Sequence, residues 1–186
     1  MRTSVALLCS VLAIVQLAGI PAARAIGLGQ VDTFESGTTL GWQVGSGGHP
    51  APPTLATGGP AGSTDHFLQL EALGGDGPGS RLAVFNAAQW AGDYSAAGVT
   101  RIEMDVFNFG PSDLSLRLLF LDFEAMNPVN MALSADAMFV PAGSGWIRIS
   151  FPTAAAALFA QSGSAAAALA NADELRLFHN PAMAYP

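Results

Sequence analysis

Lysine is absent from this 186-residue chain, and cysteine occurs once, at Cys9. The cysteine lies in the first 25 residues, MRTSVALLCSVLAIVQLAGIPAARA, which read as an export signal. Arg2 supplies the positive end, Val5 to Ile20 the apolar run, and Ala23-Arg24-Ala25 the A-x-A cleavage site. The run is shorter than the ~20 apolar residues of a spanning helix, so a removable signal is favoured over an uncleaved anchor. Cys9 sits inside the run, not at its end, which excludes a lipid-modified mature N-terminus. Residues 26–186 then hold no cysteine, so thiolate catalysis, thiolate zinc sites and disulfides are excluded there. In that part five arginines face all 14 acids, a formal charge of −9. Nucleic acid and anionic membranes are poor partners for such a chain, and membrane contact is expected only through the signal before cleavage. Calcium and neutral sugars remain compatible.

Other signatures are missing too. There is no G-x-G-x-x-G, no Walker loop, no G-x-S-x-G and no internal repeat. Gly143-Ser144-Gly145 lacks the nucleophile-elbow spacing and reads as a turn. His49, His66 and His179 show no H-x-H or H-x-x-x-H spacing, so a zinc or copper site would need three loops to converge.

What is present is alternation. A first strand and turn are expected within 26–44, then a Gly/Pro connector over 46–65. FLQLEAL (67–73) alternates apolar and polar residues and predicts a strand with one wet face. GGDGPGS (74–80) predicts a turn, and RLAVFN (81–86) the hairpin partner of that strand. VTRIEMDVFNFG (99–110), LSLRLLFLDF (114–123), NMALSADAMFV (130–140), WIRISFP (146–152) and ELRLFHN (174–180) complete the strands. Leu119 and Leu121 fall on the polar phase of their strand, which predicts cover on both faces there. The alanine-rich stretch 153–174 predicts one or two short helices near 154–172, broken at SGS, with Ser164 as an N-cap. Without a strand–helix rhythm, this pattern is an all-β antiparallel sandwich in one domain, 26–186.

The order DTFESGTTLGW, then HFLQLEALGG, then QWAGDYSAAG (89–98) before an alternating strand, then SGWIRISFP (144–152) and ADELRLFHNP resembles the laminin B (domain IV)-like jelly rolls of secreted bacterial proteins. Those are similar to galactose-binding-like and carbohydrate-binding sandwiches. The resemblance spans about residues 31–182 and implies a jelly roll at the cell surface or secreted, without a catalytic motif. It also implies a further strand after the HNP segment, so the domain is expected to lack its last strand.

The resemblance gives Glu35, and with it Asp32, a possible role in a structural calcium site. Their spacing opposes this on a straight strand, where residues three apart point to opposite faces. A solvated strand face is the plainer expectation. Trp90, Asp93 and Tyr94 lie in a loop and could stack on a sugar, although a core position is the plainer expectation for Trp90. Trp146, at a strand start, is expected in the core. Asp65, Glu71, Asp76, Asp122 and Glu124 are expected on wet strand faces, with Asp122 and Glu124 on one face if their strand continues. A glycosidase would need two of them at a set separation. The resulting expectation is a non-catalytic exported recognition module that binds an extracellular polysaccharide, glycan or matrix. A self-associating surface protein is the alternative, with a glycoside hydrolase ranked behind both.

Overall fold

The computed structural model describes residues 26–45, 52–72 and 82–185. The expected signal peptide, His49 and Asp76 lie outside the described residues. The fold is all-β, and every named strand pairing is antiparallel.

The order is β1 (Thr54–Gly59), β2 (Gly62–Gln69), β3 (Ala83–Asn86), β4 (Arg101–Phe107), β5 (Leu114–Glu124), β6 (Asn127–Ser134), β7 (Met138–Val140) and β8 (Trp146–Pro152). A 3-10 turn (Ala155–Ala157), β9 (Leu158–Ser162), α1 (Ala165–Ala170) and β10 (Glu174–His179) follow. One sheet runs β3-β10-β5-β6-β9, with β7 also pairing β5. β4 and β8 form a second sheet, and β1 and β2 a separate hairpin.

Alternation builds the core between the two sheets. Ile102 of β4 and Ile149 and Phe151 of β8 face Leu116, Leu118 and Phe120 of β5 and Leu175 of β10. Leu118, Phe120 and Phe151 are wholly buried. Burying a side chain of that size contributes ~1.5–3 kcal/mol. Leu169 and Ala168 of α1 close one end of this core. The far face of the large sheet carries a second cluster of Leu119, Leu121, Leu133 and Phe178, with Tyr185 packed on it. That is the two-sided cover expected from the leucines of β5.

Two buried polar side chains hold the ends of the large sheet. Arg117 donates to Ser134 O (2.6 Å), Ala135 O (2.7 Å), Asn180 O (3.1 Å) and Pro181 O (3.3 Å), and so ties the C-terminal segment to β5 and the end of β6. Burial pulls its guanidinium below the ordinary value, and Asp136 pulls it the other way. Asn108 donates to Val140 O (3.2 Å) and Ser112 O (2.8 Å), which fixes the corner after β4.

Three expectations need correcting, and the alanine-rich stretch holds a strand beside its expected helix. The entrance strand within 26–44 does not form; its one ladder contact is the isolated bridge Gln43–Phe85. Phe34, Gly37, Leu40 and Gly41 all take positive φ, which breaks an extended run. The connector 46–65 contains β1 and half of β2, because Pro60-Ala61 makes a two-residue turn between paired Gly59 and Gly62. The tight local turn captures β2, so β2 pairs with β1 and β3 pairs with β10, not with each other. In the alanine-rich stretch only α1 is α-helical, with Ser164 Oγ accepting from Ala167 N at 3.1 Å as expected of an N-cap. The preceding residues form the 3-10 turn and β9, where Phe159 and Ala160 pair with Leu133 and Ala132 of β6. Sheet pairing there overrides the helix propensity of alanine.

Candidate functional site

The loop before β4 is set by Asn86, a fully buried residue that closes β3. Its Oδ1 accepts from Ala88 N (3.0 Å) and Gln89 N (3.1 Å), and its Nδ2 donates to Leu40 O (2.9 Å). These bonds curl residues 87–90 so that Gln89 and Trp90 point at Asp32. Asp32 then accepts three bonds: from Trp42 Nε1 (2.6 Å) and Trp90 Nε1 (2.7 Å) on Oδ2, and from Gln89 Nε2 (2.6 Å) on Oδ1. The two indoles lie 6.1 Å apart at 45°. One carboxylate thus pins the irregular N-terminal segment to the loop, with charge-assisted bonds. Asn86 was not singled out from the sequence; an asparagine ending a strand just before an irregular loop is the signal that could have found it.

The other loop residues play local parts. Asp93 Oδ1 accepts from Ala96 N (2.8 Å), which shapes the turn 93–98. Tyr94 is fully buried, edge-on to Phe120 at 5.0 Å, and its hydroxyl donates to Trp90 O (2.7 Å). Burial pushes its phenol well up. The Tyr94 ring is therefore closed to a sugar, while Trp90 is half-buried with its indole N–H bound to Asp32.

Glu35 makes a separate tether. Its Oε1 accepts from His66 N (2.8 Å) and its Oε2 lies 2.9 Å from His66 Nδ1, so it holds β2. The backbone N–H of His66, then its ring, hold the Glu35 carboxyl below the usual carboxylate value. Calcium takes six to eight oxygen ligands. The Asp32 oxygens face N–H donors and those of Glu35 face His66, so as arranged the two do not fit a shared calcium. No group of three or more His, Cys, Asp or Glu residues that could share a metal occurs among the described residues.

The remaining acids and histidines serve the frame. Asp65 accepts from Ala61 N (2.8 Å) across the β1–β2 turn. Asp122 accepts from Asn130 Nδ2 (2.7 Å), while Asn130 Oδ1 accepts from Ser164 N (2.9 Å) at the start of α1. Glu124 and Glu71 are exposed. His179 Nδ1 accepts from Ser115 N (2.8 Å), which fixes its tautomer.

A groove of about 1580 Å³ lies between the large sheet, β4, the β1–β2 hairpin and the segment 26–34. That exceeds the ~300–1,000 Å³ of small-ligand pockets. Its floor is apolar: Leu82, Val84, Leu116, Leu175 and Leu177. At one end Phe67, Phe107, Phe109 and Trp146 form an aromatic cluster, with Phe107 and Phe109 stacked at 4.0 Å and Phe67 edge-on to Trp146 at 5.1 Å. Trp146 is half-buried at this rim, not in the core as expected, and donates to Gly58 O (3.1 Å) on the hairpin. Phe109 is 59% exposed, a large apolar surface for a single residue.

A scan against protein-family models finds no match, and neither do searches of the curated proteins and of the solved structures. The class that the fold defines is therefore an antiparallel all-β sandwich with a wide lateral groove.

Proposed function

We propose that this protein is an exported, non-catalytic recognition module, and that it holds an extended extracellular polymer, glycan or matrix, in the groove. The observation that carries this reading is the groove itself: a long apolar floor with an exposed aromatic shelf, too large for a small metabolite. The likeness of its sequence segments to laminin B-like and galactose-binding-like jelly rolls supports the same class. The engagement of Asp32, Glu35 and Asp122 in structural bonds supports recognition over acid–base chemistry. Of the loop residues, Trp90 lines the groove, while Tyr94 is buried and Asp93 shapes its own turn.

Calorimetric titration of the processed protein with soluble glycans and matrix polypeptides, beside pull-down on insoluble polysaccharide, tests this. Saturable binding lost in a Phe109→Ala/Trp146→Ala variant of unchanged fold is expected. Binding that survives that variant, or turnover of any glycan, would count against it.

A further inference from the structure

The residues that line the groove fall into two patterns. The floor residues alternate: 82 and 84 from the segment entering β3, 114 and 116 from β5, 175, 177 and 179 from β10. Period two is the mark of a sheet face seen from above. The walls do not alternate. Residues 65–69 of β2 line one side and the whole of β4 the other, and the irregular segments 26–34, 70–72 and 108–113 line the groove as well. β2 has one edge on β1, and β4 has one edge on β8. Among the described residues neither has a ladder partner on its second edge.

We propose that the groove is an acceptor slot for an extended peptide of another protein, which adds a strand between β4 and β2. This rests on the groove being the recognition surface. The edges of β2 and β4 without a partner among the described residues present N–H and C=O groups at the repeat of a strand, which an extended peptide can meet and a glycan cannot. Every second side chain of the guest would rest on Leu82 and Leu177, the half-buried residues of the floor, and the others would point outward. Charge selects the guest. The lining carries Asp32, Asp65, Glu71, Glu103, Asp105 and Asp113 against Arg101 and Arg148. A second copy of this chain, lysine-free and net −7, meets that surface with like charge. The fitting guest alternates apolar and basic residues.

The test uses the processed protein and three synthetic ten-residue peptides: alternating valine and arginine, alternating valine and glutamate, and the first with a central proline. The valine–arginine peptide is expected to bind and to slow amide exchange in both β4 and β2. The glutamate peptide should bind about tenfold more weakly, and the proline peptide should fail to protect the edges. The double variant Glu71→Lys/Glu103→Lys, both exposed positions, should reverse the preference. Binding without protection of β4 and β2, or equal binding of all three peptides, would overturn the proposal. So would dimerisation through these edges in sedimentation. Glycan binding in the groove with no peptide binding would overturn the strand proposal and leave the recognition reading standing. Neither glycan, matrix polymer nor peptide binding would sink both.

Discussion

Compare the two sides of the sandwich. On the β5 side, β5 and β10 have partners on both edges, Leu118 and Phe120 are sealed in the core, and Arg117 ties four carbonyls across the end. On the β4 side the same alternating pattern leads to a two-stranded sheet and a detached hairpin, with a groove between them. The apolar alternation is as regular in β4 as in β10. What differs is pairing. A sheet needs a neighbour for each edge as well as a core for one face, and among the described residues only the first side has both.

That contrast can be broken most severely at its packed side. Phe120→Ala should cost about 3–5 kcal/mol in denaturant unfolding, because it opens a cavity in a sealed core. Leu177→Ala, on the groove floor, should cost about 1–2 kcal/mol, since its cavity opens to a groove that already exists. Equal losses at the two positions would mean that the groove is closed in solution.

Arg117→Met should cost about 3 kcal/mol, because four carbonyls lose a charged donor. A free-energy loss below ~0.5 kcal/mol would show that water replaces the guanidinium readily. Asp32→Ala should cost about 2 kcal/mol and should change tryptophan emission, since the indole N–H groups of Trp42 and Trp90 lose their acceptor. An unchanged spectrum would contradict the hub.

The smallest effect is expected at Glu35. Its carboxyl is held below the ordinary value in the folded protein, so its contribution is present above the unfolded value of about 4.5 and fades as pH falls through the folded one. Protection of the β2 amides, measured against their intrinsic exchange rate at each pH, should fall in that acidic window, while that of β5 stays unchanged. Glu35→Gln should remove the acid step. A step that persists in this variant would assign it to another group.

These differences also explain how much of the fold could be read from residue order. Period-two runs located β4, β5, β8 and β10 within a residue or three, since each has a sealed face that imposes the alternation. The double cover of Leu119 and Leu121 was legible for the same reason. Pairing was not legible. Nothing local says that Phe67 and Leu68 should face Ala56 and Leu55, because a two-residue Pro-Ala turn inside a Gly/Pro-rich stretch has the composition of a connector. β9 was hidden because alanine favours a helix until a sheet edge is offered. For the site, Asp32, Glu35 and Trp90 stood out, yet their partners Gln89, Trp42 and His66 are 31 to 58 residues away or lie across an irregular turn. The groove depends on which edges stay unpaired, and that is a property of the whole topology.

The most direct measurement is residue-resolved hydrogen exchange on the processed, monomeric protein without ligand. β5 and β10, flanked on both sides, should protect consecutive amides, whereas β4 and β2 should protect only every second one, as strands with one open edge do. Continuous protection along β4 and β2 in the free monomer would mean that the outer layer is already complete, and that no slot exists for a guest strand.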